Sequence, residues 1–257
     1  MPELPEVETV RRGLAQWLPG KKITDVEVLH PRATNPRSIA PLIELRGARI
    51  ENINRRGKFL WFTLNRPYVV LAHLGMSGQF LIEPRSTQPS SHARVRFTVN
   101  DRRRELRFID QRTFGWIALD TLTDGAPSSI THIARDIFDQ QFRSDEAIEK
   151  LRKRSTSIKA ALLNQEIMSG VGNIYAEISM LMNLSGERRF IQNKLLTHFQ
   201  RKIFLDCSML FEQSWVKLSS HAAHKCWAAL RFIAASWRSM PKSLQFVLST
   251  TPLQNNQ

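Results

Sequence analysis

The chain is poor in cysteine. Only Cys207 and Cys226 occur among 257 residues, and they form no CxxC pair. Neither a disulfide framework nor a four-thiolate zinc site is encoded. Long apolar runs are also missing. None approaches the roughly 20 residues needed to cross a bilayer. The opening Met1-Pro-Glu-Leu-Pro-Glu6 has neither the basic segment nor the apolar core of a signal peptide, so a cytoplasmic location and no membrane partner are expected. Acidic residues are scarce: 23 Asp and Glu stand against 37 Lys and Arg, a net charge of +14. Such a surplus favours polyanions, without choosing among DNA, RNA and an anionic membrane face.

What is present is a chain of ordinary globular composition, with 42% apolar residues. Val7, Val10, Leu14 and Trp17 recur at helical spacing and predict a helix over Glu6–Trp17, stopped by Pro19-Gly20. From Ile23 to about Leu119 the texture is β. Alternating runs cover Thr24–Leu29, Ala48–Asn52, Phe59–Leu64, Val69–His73, Gln79–Ile82, Val95–Val99 and Glu105–Ile109. Gln88–Ala93 reads as a loop. Helical texture resumes near Ile130 and includes Asp145–Arg152 and Ser157–Gln165. The expectation is an α+β chain: a β-sandwich with an N-terminal helix over 1–120, then a helical domain over 130–176, with the boundary at 120–135.

The N-terminus carries the sharpest chemistry. Pro2 is small enough for Met1 to be removed, which leaves a secondary amine. An α-amino group has a pKa of roughly 8, so part of it is neutral near pH 7. A neutral amine can attack C1′ of a nucleoside, displace the base and form an iminium with the opened sugar. On position alone, a proline that merely stiffens a terminus is the favoured reading.

Pro2 belongs to a longer string. The opening Met1-Pro-Glu-Leu-Pro-Glu-Val-Glu-Thr-Val-Arg-Arg-Gly-Leu14 is followed by Arg55-Arg-Gly-Lys58, His73-Leu-Gly-Met-Ser-Gly78, Asp110-Gln-Arg-Thr-Phe-Gly115 and Gly170-Val-Gly-Asn-Ile-Tyr-Ala176. Together, in this order, they resemble the bacterial formamidopyrimidine-DNA glycosylase family over residues 1–176. The resemblance implies a monomeric base-excision-repair enzyme, a glycosylase and AP lyase, acting on oxidised purines in damaged double-stranded DNA. It implies a sandwich followed by a helix–two-turn–helix domain with a zinc finger.

The resemblance also implies roles. Pro2 is the Schiff-base nucleophile and Glu3 the acid/base. Glu6 is a second carboxylate near the amine, or simply a first-turn acid favoured by the helix dipole. Lys58 assists β-elimination. Met76, Arg112 and Phe114 fill the void left by the flipped base. Their turn-like contexts favour exposure over core packing. His92, Arg154 and Asn173 contact phosphate, although His92 taken alone reads as an ordinary loop histidine. The family's usual Asp-Pro-Arg is Asp110-Gln-Arg112 here.

After Ala176 the resemblance stops. The family continues with Asp-Glu, a small residue and Leu, then His-Pro-Glu; this chain reads Glu177-Ile-Ser-Met-Leu-Met-Asn-Leu184. The family's four-cysteine finger is absent, so no metal ligands and no cofactor are expected in this chain. Back-translation accounts for the break. Gly172–Leu184 can be encoded with GGAAATATCTATGC twice in tandem, 14 nucleotides per copy. Removing one copy restores Gly-Asn-Ile-Tyr-Ala-Asp-Glu-Ser-Leu. In the same frame, Arg189-Phe-Ile-Gln-Asn193 yields Ile-His-Pro-Glu. Residues 177–257 therefore read as a frameshifted translation. This fits their three Trp, both Cys, and four acidic against ten basic residues. The other reading is a divergent but genuine domain, with Trp215, Trp227 and Trp237 in real helices. His221, His224 and Cys226 fit no standard zinc spacing.

Overall fold

The computed structural model describes residues 2–177. The tail read as a shifted frame lies, beyond Glu177, outside the described residues. The chain divides into two compact units, Met1–Ala134 and Arg135–Gln257.

The first unit opens with helix α1 (Leu4–Trp17). It begins two residues earlier than the apolar periodicity indicates. Pro5 sits in its first turn, where a missing N–H costs nothing. The Glu6 carboxylate accepts from the Glu3 backbone N–H at 3.0 Å, the return half of a capping box. Leu4, Val7 and Leu14 are buried, and Leu18 follows them into the core.

Nine strands follow: β1 (Ile23–Val28), β2 (Ile50–Arg56), β3 (Phe59–Leu64), β4 (Tyr68–His73), β5 (Gly78–Pro84), β6 (Ala93–Val99), β7 (Arg104–Asp110), β8 (Trp116–Thr123) and β9 (Ala126–Pro127). They form two antiparallel sheets, in the orders β1-β6-β7-β5 and β2-β3-β4-β8-β9. Their inner faces share one core. Val26, Phe80, Phe97 and Phe108 come from the first sheet; Ile53, Leu60, Phe62 and Leu119 come from the second. Phe62 and Phe80 meet across the sheets with ring centroids 5.6 Å apart. The expected sandwich with its N-terminal helix is the observed architecture of this unit. β8 was not among the expected runs. Its buried stretch Ile117–Asp120 is continuous rather than alternating, because both faces are covered: Ile117 and Leu119 join the shared core, and on the other side Ser129, beyond β9, bonds to the Asp120 carboxylate.

The second unit holds α2 (Ser144–Arg152) and α3 (Ile158–Leu163), with helical backbone again over 173–177. Helical texture from Ile130 onward is corrected here. Ser128–Ile130 forms one 3₁₀ turn, and no α-helix is described between Ile130 and Ser144. The cause is local: the Asp136 carboxylate accepts from the Phe138 N–H and the Asp139 carboxylate from the Gln141 N–H. Such Asx turns compete with helical pairing. Ile158, Leu162, Met168, Val171, Tyr175 and Ala176 form the unit's main apolar cluster.

Candidate nucleic-acid interface and amine site

Pro2 is half-buried and directly precedes Glu3, the residue that caps α1. Glu3 is only 2% exposed. The helix start thus holds the segment from Pro2 to Glu6 against the sandwich. Lys58 approaches from another element. Arg56 pairs with Phe59, so Gly57 and Lys58 form a two-residue hairpin tip between β2 and β3. Gly57 has φ of 55°, the left-handed value such a tip requires. Burial pushes the Lys58 ammonium below its usual range, while the charges of Glu3 and Glu6 pull it back up. Glu3, Glu6 and Lys58 are therefore within electrostatic reach of one another. A lysine with a lowered pKa beside two carboxylates is suited to moving protons.

The hairpin tip is braced by residues to which the sequence reading gave no role. Glu8 of α1 accepts hydrogen bonds from Arg11, Arg12 and Arg55. Burial raises its pKa, but the three guanidinium groups outweigh burial and hold it at about 2. Arg55 also donates to the Gly57 carbonyl at 3.0 Å. The Glu8–Arg11 and Glu8–Arg12 pairs are legible as helical spacing. The Arg55 contact spans 47 residues and leaves no local pattern.

His73 is a second such residue. It lies opposite Phe59 in the β3–β4 ladder, next to Lys58. Burial, helped by the Lys58 charge, pushes its pKa down to about 4. Its Nδ1 accepts from the Gly75 N–H at 3.2 Å, which leaves the proton of the neutral ring on Nε2.

Met76 and Phe114 are exposed, at 42% and 55%. They sit on two interlocked loops. The first, Leu74–Gly78, joins β4 to β5; the second, 111–115, joins β7 to β8. Gly75 has φ of 62°, and a Cβ there would lie 2.4 Å from the Gly115 nitrogen. Asp110, fully buried, is the shared acceptor. It takes hydrogen bonds from the Ser77 hydroxyl at 2.5 Å and from the Arg112 and Gly115 N–H groups at 3.2 and 2.6 Å. The Arg112 guanidinium lies over the Phe114 ring, 5.1 Å from its centroid. The three groups expected to fill a void therefore project from one braced platform. The sequence reading quoted Asp110 within its motif but assigned it nothing. A lone acid at a strand end carries no signal that it is buried.

His92 is half-buried at the end of the β5–β6 loop, and its carbonyl accepts from the Asp110 N–H at 2.9 Å. Arg154 and Asn173 belong to the second unit. Arg154 is exposed just beyond α2, and Asn173 is exposed where helical backbone resumes after Gly170, whose φ is 91°. Among the described residues, no cluster of three or more His, Cys, Asp or Glu could hold a metal ion. No helix of the described residues is long and apolar enough to cross a membrane.

The comparisons agree with this layout. The formamidopyrimidine-DNA glycosylase N-terminal domain matches residues 1–117, and the H2TH domain of the same enzymes matches residues 133–189. The chain is 49% identical over 180 residues to the formamidopyrimidine-DNA glycosylase of Salinispora arenicola, covering 69% of this chain and 63% of that protein. It is 46% identical over 198 residues to the Thermobifida fusca enzyme of that name, covering 71% of this chain and 67% of the relative. The structure of Lactococcus lactis Fpg bound to abasic-site DNA is 30% identical, with a TM-score of 0.60, covering 70% of this chain and 67% of that one. The chain belongs to the formamidopyrimidine-DNA glycosylase family.

Proposed function

We propose that the chain derives from, and retains the first-unit chemistry of, a bifunctional DNA glycosylase/AP lyase that removes oxidised purines such as 8-oxoguanine and formamidopyrimidines. The observation that carries this reading is the meeting of the Pro2–Glu6 segment with Lys58, whose pKa is depressed by burial beside Glu3 and Glu6. The neutral Pro2 amine attacks C1′, and a C1′–N bond forms as the bond to the damaged base breaks. The sugar ring then opens. Glu3 supplies a proton to the sugar or the departing base. The resulting iminium is cationic and accepts electrons when the 2′ proton is removed and the 3′ phosphate leaves. Lys58, with its lowered pKa, assists that elimination. Met76, Arg112 and Phe114 occupy the space of the everted nucleotide, and His92, Arg154 and Asn173 hold phosphates. The Lactococcus lactis relative bound to abasic-site DNA supports damaged duplex DNA as the partner.

The test is covalent trapping. With borohydride, an abasic duplex should give an adduct with the parent chain and none with Pro2→Gly or with Met1 retained. An undiminished adduct from either removes Pro2 from its role.

A second reading has its own observation. The chain spans only 63% of the Salinispora arenicola relative, and its family motif ends at Ala176. On this reading the chain is a DNA-binding remnant whose C-terminal jaw was lost to the 14-nucleotide duplication. Two cysteines do not supply the four thiolates of the family's finger, so no step here is routed through zinc. A remnant gives no adduct in the trapping experiment.

A further inference from the structure

Two loops of the first unit bear residues assigned above to DNA, and one buried side chain joins them. Arg94, in β6, is 9% exposed. Its Nη1 donates to the Ser91 carbonyl at 3.1 Å, next to His92. Its Nε donates to the Thr113 hydroxyl at 3.2 Å, between Arg112 and Phe114. The β5–β6 loop is also held at its other end, where buried Arg107 donates to the Thr87 carbonyl at 2.7 Å.

Thr113 is the strained point of this assembly. Its φ is 56°, in the left-handed region that a β-branched residue rarely enters. Such a conformation persists where the surroundings hold it. The backbone on either side is fixed by Asp110, through the Arg112 and Gly115 N–H groups. The Thr113 side chain is held by Arg94.

We infer that Arg94 is a positioning residue: it locks the loop of His92 to the loop of Arg112 and Phe114, with Thr113 kept left-handed, so that both loops present their groups to DNA at one fixed spacing. Arginine suits this task because its planar fork donates in two directions at once and stays charged. Lysine has no such fork. What the two loops touch rests on the proposed function; their joining does not.

The joint is tested in the free, full-length chain by hydrogen exchange at 90–93 and 111–115. Arg94→Lys loses the fork. Thr113→Val keeps the β-branch and removes only the acceptor hydroxyl, so it covers the case in which Arg94→Lys fails to fold. In each variant, exchange should quicken about tenfold in both segments together. Affinity for a duplex with a tetrahydrofuran abasic analogue should fall about tenfold, with affinity for the undamaged duplex unchanged. Thr113→Val with 90–93 as protected as in the parent overturns the proposal, as does loosening of one segment alone. Coupled exchange in a parent that does not favour the abasic duplex supports the joint and removes the functional reading instead.

Discussion

The Glu8 carboxylate lies 2.9 Å from Nε of Arg55, and the same guanidinium reaches the Gly57 carbonyl. Through this one residue, α1 sets the height of the hairpin tip that carries Lys58. Arg55→Met should therefore lower strand cleavage of an abasic duplex by about tenfold to a hundredfold, with binding changed far less. Single-turnover nicking and fluorescence-anisotropy binding on the same substrate check this. Equal losses in both would make Arg55 a phosphate contact.

Glu8 also gives the fold an acid limit. Its folded pKa of about 2 lies below the unfolded value of about 4.5. The carboxylate therefore contributes stability that is present above pH 4.5 and lost as pH falls toward 2. A shift of this size corresponds to roughly 3 kcal/mol. Urea melts of the parent and Glu8→Gln should converge as pH drops through that window and separate above it.

Much of this fold was legible. The runs of β1 to β7 were visible as β-rich segments between turn signals, and the apolar stripe of α1 as a helical period. β8 escaped because both of its faces are covered, so its buried run does not alternate. At the site, Pro2, Glu3, Lys58, Met76, Arg112 and Phe114 stood out as members of strings with a role; Arg55, His73 and Asp110 lie in the same strings but drew no role, and Arg94 lies outside them. Their importance lies in partners distant in the chain, such as Ser77 bonded to Asp110 33 residues away. No local period encodes such pairs.

Lys58 and His73 should report on each other. Removing the ammonium with Lys58→Met takes away one of the two causes that hold His73 near 4. The His73 titration, followed by its imidazole proton resonances, should move upward. An unchanged midpoint would separate the two side chains. In the same variant, strand cleavage should slow more than binding weakens, because Lys58 is assigned to elimination.

Gly75→Ala should be severe. The added carbon would meet the Gly115 nitrogen at 2.4 Å and the Phe114 carbonyl carbon at 2.5 Å, on a backbone with φ of 62°. These are backbone atoms of the Phe114–Gly115 peptide, which leaves little room to yield. A loss of about 2 kcal/mol or more is expected. Thermal denaturation reads it, and a melting temperature within a degree of the parent would contradict the interlock.

Deleting one copy of the proposed 14-nucleotide repeat should restore a four-thiolate finger, and with it zinc, tighter DNA binding and a steeper salt dependence, all together. Metal analysis, and nicking of an 8-oxoguanine duplex by the two chains, decide it. Equal nicking by both chains would make the present tail a working domain. A coding sequence without the repeat would remove the frameshift outright.

The strand order has a consequence for biosynthesis. Among the described residues β1 has no strand neighbour except β6, so Ile23 must wait for Val99 to leave the ribosome before its ladder can close. The last partner in the second sheet, Pro127, emerges soon afterwards. At 5–20 residues per second, that interval is on the order of ten seconds during which the nascent segment has open sheet edges. Every strand pairing among the described residues is then complete some 50 residues before Ala176, where the family motifs read in the sequence end. A ribosome that passes Ala176 has already translated everything the sandwich needs for its ladders. On the frameshift proposed above, quality control would meet the altered sequence only after the strands of the sandwich have been made.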